Sequence, residues 1–477
     1  MTDPNGGAPP EALAAALCEH PAVAAAEVTA GEAGRALVAR LVPDPVHAAM
    51  LSASAEVEAA GRLGPLGWHE PAGDLRVAGL NRTESDFLYR EIFEDNAYFR
   101  NGIALPPGAV VVDVGANIGM FTLCAARHSP GVRVVAVEPV AELAEAMAIN
   151  AELHGVDVTV LNVGVGRGEA EADFTFYPNN SVMSGGFADA DEDLAVLRGY
   201  LLAGDGAEGG AQLDRLAAGR LAAERRRVPV TTLSLIAAEQ GLSRIDLLKI
   251  DVEKAEEEVL GGIDAGLWAR IDRIVVEVHD VGGRLASVLA TLRAHGFAVT
   301  DEKDPRLAGT PCVNVFAHRP GRTAVPGPRS ASAPPGRGPA LRRLESELRD
   351  LLAERFPESA APRSFTVVAA LDGTGTGTGT GVPDVRQGGP IASTERTEVL
   401  ADIWSGLFGA DAVRPDADFF ELGGDSLTAV RLLARLEERL GEDALAPDAI
   451  FTESTFGALA AAVDASAPPA ATGNGLG

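Results

Sequence analysis

Val110–Leu123 reads VVVDVGANIGMFTL. A short Val-rich run closing on an aspartate, a turn with glycines at 115 and 119, and a helix beginning near Met120 form the strand, turn and helix that open a parallel sheet. Gly115 and Gly119 let the backbone pass close to a ligand at the carboxyl end of that strand, where doubly wound sheets hold their ligands. Four further apolar runs separated by helical patterns follow: VRVVAVE at Val132–Glu138, VTVLNVGV at Val158–Val165, IDLLKIDV at Ile245–Val252 and DRIVVEVH at Asp272–His279. Near-continuous Val/Ile/Leu strands alternating with helices predict an α/β, doubly wound sheet covered on both faces.

Strand two ends at Glu138, about 20 residues beyond the glycine turn, where a carboxylate can accept both hydroxyls of a ribose. A dinucleotide site would carry Gly where Asn117 stands, so close approach of a pyrophosphate is disfavoured and S-adenosylmethionine, which has no phosphate, fits better. A glycine turn after a strand is by itself more often only a tight turn. The combination says more. With AVEP at Ala136–Pro139, LLKIDVEKAEEEVL at Leu247–Leu260, VVEVHD at Val275–Asp280 and ESDFLYREIFEDNAYFRNGI from Glu84, the stretch resembles the FkbM family of S-adenosylmethionine-dependent methyltransferases over about Ala78–Ala317.

The resemblance implies the seven-stranded class I, Rossmann-like methyltransferase fold. It also implies that Asp113, Gly115, Asn117 and Gly119 surround the methionine part of the cofactor, that Glu138 holds the ribose and that Asn162 flanks the adenine. The family commonly has Gly after the acidic D-V-E, whereas Lys254 follows Glu253 here, a difference on the acceptor side. Methyl transfer is a direct displacement that chiefly needs alignment, plus a base if the acceptor is a hydroxyl. Candidates at strand ends are Lys249, Asp251 and Glu253, expected on one side of strand four, and Glu277 and His279 on strand five. Charged groups on one side of an apolar strand are costly unless solvated, paired or functional. His279 is either a general base or an ordinary satisfied histidine. NNSVMSGG, Asn179–Gly186, is either a plain loop or an acceptor-side loop.

Near the other end of the chain stands FFELGGDSL, with Ser426 at the start of the apolar-periodic run LTAVRLLARLEERL. A serine there is most often an N-cap. With WSGLFG upstream and DAIFTESTFGALAAAV downstream, however, the segment Thr394–Val463 resembles the peptidyl carrier, or thiolation, domain of nonribosomal peptide synthetases. That resemblance implies a four-helix bundle whose Ser426 receives 4'-phosphopantetheine from a phosphopantetheinyl transferase and carries an acyl group as a thioester. No His or acid at a triad spacing accompanies Ser426, which argues against a hydrolase serine.

Outside these units, Glu11–Pro43 and Leu341–Asp372 resemble the start and end of the C-terminal subdomain of adenylation domains, which the methyltransferase would interrupt. The N-G-K turn expected next is replaced by GTGTGVPDVR, without lysine, and the large adenylation core is missing, so a small α+β docking lobe is expected. Two generic amphipathic stretches are the alternative. The implied layout is 1–77 lobe and linker, 78–318 methyltransferase, 319–340 Pro/Gly linker, 341–372 end of the lobe, 373–393 Gly/Thr linker, 394–465 carrier and 466–477 disordered tail. Ala188–Arg227, with GDGAEGG in its middle, reads as a helical insertion, a candidate lid.

The 477 residues leave room for these units, and 46% hydrophobic with 23% charged residues is a globular composition. A formal charge of −28 repels nucleic acid and anionic membranes. Cys18, Cys124 and Cys312 have no metal-ligand or disulfide spacing, so no metal is expected, and with neither signal peptide nor apolar span a cytoplasmic protein is expected. The combined reading is O-methylation of an aminoacyl or peptidyl thioester on the chain's own carrier, with synthetase adenylation and condensation domains as partners. N-methylation, or an inactive fold serving as a docking module, are the alternatives.

Overall fold

A computed structural model describes residues 8–30, 37–202, 220–303, 310–321, 337–357, 361–371 and 394–466, the last with breaks at 416, 420–421, 423, 425, 442–443, 447–448 and 453. The Gly/Thr linker at 373–393, most of the Pro/Gly linker, the tail beyond 466 and GDGAEGG lie outside the described residues.

The chain opens with the helix Pro10–Leu17 and two antiparallel strands, β1 (Val23–Ala30) and β2 (Leu37–Pro43). After the hairpin of β3 (Gly67–Ala72) and β4 (Leu75–Gly79) come β5 (Val110–Val114), β6 (Arg133–Val137), β7 (Asp157–Leu161), β8 (Gly164–Val165), β9 (Ala170–Phe176), β10 (Glu224–Thr231), β11 (Leu247–Ile250), β12 (Arg273–His279), β13 (Ala298–Glu302), β14 (Cys312–His318) and β15 (Ser364–Val367). Seven of these form the central sheet in the order β13-β14-β12-β11-β5-β6-β7. β5, β6, β7, β11 and β12 run parallel, and β14 is antiparallel to both its neighbours. The chain winds from β5 outward through β6 and β7, then returns to the other side of β5 at β11. This reversal opens a crevice at the carboxyl ends of β5 and β11. Val111, Val112, Val134, Val135, Leu247, Leu248, Ile274 and Val275 are fully buried, as a sheet covered on both faces requires.

Two sequence expectations change. The run Val158–Val165 is not one strand: Val163 N–H donates back to the Leu161 carbonyl at 3.0 Å, and Gly164–Val165 leaves to pair with β10 in a separate sheet, β8-β10-β9. Among its described residues the insertion is helical at Ala190–Leu202 and again at Arg220. Its end, from Glu224, belongs to β10, because Glu224–Val230 pair antiparallel with Phe176–Ala170.

The terminal pieces fold together into one α+β lobe. β15 joins β2 in parallel, and the helix Leu341–Ala353 buries Leu344, Leu348 and Leu352, spaced one turn apart, in one core with Leu13, Leu17, Leu41 and Phe365. Full burial of such a side chain contributes roughly 1.5–3 kcal/mol. Glu70 accepts the Leu341 and Arg342 amides at 2.9 Å each, so a carboxylate from the β3–β4 hairpin caps that helix.

The carrier region is helical: Glu395–Phe408, Ser426–Leu440, Ala449–Thr452 and Phe456–Ala465. Trp404 is its centre, fully buried and edge-on to Phe419 and Phe456 at 5.8 and 5.3 Å. Among the described residues no helix is long and apolar enough to cross a membrane.

Candidate active site

A cavity of about 940 Å³ occupies the crevice, bounded by Gly115, Ala116, Asn117, Glu138, Asp251, Glu253, Glu277 and His279. The turn after β5 is held in left-handed backbone, with φ of +74° at Gly115, +49° at Asn117 and +86° at Gly119. Gly115 is obligatory: a Cβ there would come within 1.7 Å of the Asp251 carbonyl oxygen. The helix Met120–His128 starts directly afterwards.

Glu138, 5% exposed, lines the cavity just beyond the end of β6. One of its carboxyl oxygens accepts the Asn117 amide and the other the Val140 amide, both at 2.9 Å. Burial pushes its pKa up to about 7 against those hydrogen bonds. Asn162 does not line the cavity. Its side-chain amide donates to the Glu138 carbonyl at 2.9 Å and so steadies that residue from behind. Asp113, fully buried, sits beneath the turn and accepts the Thr122 hydroxyl at 2.8 Å.

Lys249 ties the turn to β11. Its Nζ donates to the Gly115 carbonyl at 2.6 Å and lies 3.3 Å from Asp113 and 3.4 Å from Asp251. Burial pulls its pKa down, but the two carboxylates outweigh burial and keep it raised, so the cation is retained. Asp251 also accepts the Tyr98 hydroxyl at 3.0 Å, and burial followed by the Asp251 charge holds that phenol well above its ordinary pKa.

β11 ends at Ile250, so of the three only Lys249 lies on the strand; Asp251 still reaches Lys249, while Glu253 turns to His279. Glu253 and Lys254 are consecutive left-handed residues, φ +47° and +73°. Left-handed backbone costs a side-chain-bearing residue roughly 1–2 kcal/mol. This explains why Gly suits position 254 and poses the question of what compensates a lysine. Glu253 reaches His279 Nε2 at 3.0 Å, while Glu256 faces His279 Nδ1 at 3.1 Å and Arg284 at 3.5 Å. Burial lowers the His279 pKa, but Glu253, Cys312 and Glu256 outweigh it and hold the ring well above its ordinary value. An imidazolium with both nitrogens facing carboxylates has no lone pair with which to accept a proton.

Glu277 differs from its neighbours. It is 7% exposed, lines the cavity, and makes no hydrogen bond or ion pair among the described residues. Burial, then Asp251, Cys312 and Glu91, raise its pKa well above the usual carboxylate range. Glu277, His279 and Cys312 place potential metal-ligand atoms within 4.8 Å of one another, a grouping that β12–β14 pairing creates and sequence spacing concealed.

Other cavity residues were only partly legible as site residues in the sequence. Glu84, buried, accepts the Ser181 amide at 2.9 Å and hydroxyl at 2.5 Å, which brings the polar loop Asn180–Gly186 onto the cavity wall. Arg220, Tyr98 and Phe187 join it from segments distant in sequence. The early signals were the segment from Glu84 to Ile103, read above as part of the family pattern, and Asn179–Gly186, read above as either a plain loop or an acceptor-side loop.

The carrier meets this cavity. Gly424, two positions before Ser426, is one of its lining residues, and Asp418 lies 3.5 Å from Arg82. Tyr177, Met183, Val196 and Leu197 share one apolar core with Trp404, Phe419, Leu433 and Phe456. Ser426 begins its helix, and its side chain lies outside the described residues.

The cavity suits S-adenosylmethionine in size and donor set: a glycine turn without a phosphate cradle stands beside the buried Glu138 carboxyl.

Residues 113–299 match the methyltransferase FkbM domain, and residues 398–463 match the phosphopantetheine attachment site. The chain is 36% identical over 460 residues to the AMB antimetabolite synthetase AmbE of Pseudomonas aeruginosa, covering 89% of this chain and 21% of that protein. It is 44% identical over 244 residues to the 31-O-demethyl-FK506 methyltransferase FkbM of Streptomyces tacrolimicus, covering 51% of this chain and 93% of that protein. Methyltransferase 1 of Beauveria bassiana is 34% identical over 228 residues, covering 46% of this chain and 84% of that protein. The chain thus spans about a fifth of AmbE and nearly all of the FkbM relative.

Proposed function

Because the chain belongs to the FkbM methyltransferase family and carries a phosphopantetheine attachment domain, we propose that it O-methylates an aminoacyl or peptidyl group held as a phosphopantetheine thioester on its own Ser426. The observation that carries this reading is Gly424: the carrier backbone two residues before Ser426 lines the same cavity as Asn117 and Glu138. Gly424 brings the carrier backbone to the cavity, and on this reading the arm enters from that side. Fusion of catalyst and carrier also raises the effective substrate concentration into roughly the millimolar range. The 31-O-demethyl-FK506 methyltransferase is an O-methyltransferase by its name, which favours oxygen as the acceptor.

S-adenosylmethionine supplies an electrophilic methyl group on a sulfonium sulfur. The protein's part is to hold and align. Glu138 takes the ribose, the Gly115–Asn117 turn takes the methionine end, and Lys249 fixes that turn to β11 through the Gly115 carbonyl. Glu277 is the general base. It alone of the strand-end candidates faces the cavity without a partner among the described residues, and burial raises its pKa, so once ionised it binds a proton more tightly than an ordinary carboxylate. The acceptor hydroxyl gives its proton to Glu277 as its oxygen takes the methyl. His279 and Glu253 act as a charged pair that shapes the turn. A phosphopantetheinyl transferase must prime Ser426, and adenylation and condensation domains of a nonribosomal synthetase would load and unload it.

The test is intact-protein mass spectrometry of the holo-protein loaded with aminoacyl, hydroxyacyl and simple acyl groups and then given S-adenosylmethionine. A methyl increment on the pantetheine-borne hydroxyacyl group, absent in Ser426→Ala, supports the reading. Methylation only of groups bearing a free amine points to N-methylation, and failure to bind S-adenosylmethionine by calorimetry points to a docking module.

A further inference from the structure

Lys254 occupies strained backbone where the family commonly has Gly, and its side chain accounts for it. The ammonium group is buried and lies 2.8 Å from Asp193 and 3.0 Å from Glu192, in the first turn of the insertion helix Ala190–Leu202. Asp193, only 3% exposed in its side chain, also accepts the Tyr177 hydroxyl at 2.8 Å. On one side, therefore, this helix is clamped to the turn after β11, the turn that contributes Asp251 and Glu253 to the cavity. On the other, Val196 and Leu197 of the same helix lie in the carrier's apolar core, and the helix packs on Ser426–Leu440. Glu253, next to Lys254, is held in turn by His279, and Gly185 of the Ser181 loop packs so closely that a Cβ would meet the Glu253 carbonyl at 2.9 Å. One continuous set of contacts therefore runs from the reacting end of the cavity to the carrier's docking helix, and Lys254 is its charged joint.

We propose that Lys254 is a positioning residue for carrier delivery: its ion pairs with Asp193 and Glu192 set where the insertion helix seats the carrier relative to the methyl-transfer site. The inference rests on carrier-bound methylation as proposed above. The chemistry of the joint is specific, since a buried cation shared by two carboxylates keeps its orientation only while all three groups are charged. An apolar side chain of equal length removes that registration without removing any residue that lines the cofactor cavity; it also leaves Asp193 without its countercharge, so the variant is less stable and is compared below its melting temperature.

The experiment compares wild type, Lys254→Met and Lys254→Arg as full-length holo-protein. It measures single-turnover methylation of the Ser426-borne acyl group, methylation of the same acyl group on free pantetheine, and S-adenosylmethionine affinity. Lys254→Met is expected to slow the carrier-bound reaction at least tenfold while leaving the free acyl-pantetheine reaction and cofactor affinity within twofold of wild type, and Lys254→Arg to restore most of the loss. Equal slowing of both reactions, or no slowing of either, overturns the assignment. Wild type that methylates neither substrate defeats the carrier-bound reading itself, and the two failures are thereby distinguished.

Discussion

Replacing Glu277 by Gln keeps the side chain's shape and removes its charge, and the structure sets opposite consequences for rate and stability. The carboxyl is 7% exposed, has no hydrogen-bond partner among the described residues, and faces Asp251 and Glu91, so its folded pKa lies well above the usual glutamate value. A carboxyl raised in this way contributes most to stability when protonated, below the ordinary glutamate range, and that contribution is lost as pH rises towards the folded pKa. Each pH unit in that window costs the wild type about 1.4 kcal/mol that glutamine does not lose. For a domain of this size about 1 kcal/mol corresponds to a melting shift of roughly 2–4 °C. Melting of the ligand-free proteins should therefore coincide near pH 4 and diverge progressively as the pH rises from there towards the raised folded pKa, with Glu277→Gln the more stable. The variant should at the same time lose about 100- to 10,000-fold in the methyl-transfer step, the usual contribution of a general base, together with the rising limb of the pH–rate profile. Scanning fluorimetry across pH, combined with single-turnover methylation, reads both. A pH-independent difference in melting would refute the electrostatic argument, and a variant with wild-type rate would remove Glu277 as the base.

Two further perturbations follow from the same geometry. Glu138, with its pKa pushed up to about 7, accepts ribose hydroxyls best when ionised, so S-adenosylmethionine affinity measured by calorimetry should rise as pH passes from about 6 to about 8, and Glu138→Gln should bind more weakly with no such rise. Lys249→Met leaves Asp113 fully buried without its countercharge, which should cost about 3–5 kcal/mol at neutral pH; thermal melts should show this loss shrinking as the pH falls and Asp113 takes up a proton.

Much of the fold is legible because the local signals agree: Val-rich runs, glycine turns and helical periodicity all point to one wound sheet, and Glu138 ends its strand where the turn at Gly115 needs it. The terminal lobe is legible for a similar reason, since Leu344, Leu348 and Leu352 mark one helix face whose partners stand some 300 residues earlier in Leu13 and Leu41. The partnerships of charged groups are not legible. Nothing in the spacing says that His279 lies between Glu253 and Glu256, and strand alternation misplaces Glu253 because the strand stops at Ile250 and turns left-handed. Alternation likewise says nothing of Cys312, which pairing brings opposite His279. Lys254 reads as a departure from a family pattern, and only its contact with the insertion helix gives the departure a physical meaning.

The central claim is that the acceptor is delivered by the chain's own carrier. The most direct measurement is the dilution dependence of methyl transfer to the acyl group on holo-Ser426, followed by mass spectrometry at saturating S-adenosylmethionine. The account predicts a first-order rate that does not change over a hundredfold dilution, and no transfer to that position in Ser426→Ala. A rate that falls in proportion to protein concentration, or a methyl group found anywhere other than on the pantetheine-borne acyl chain, would contradict it.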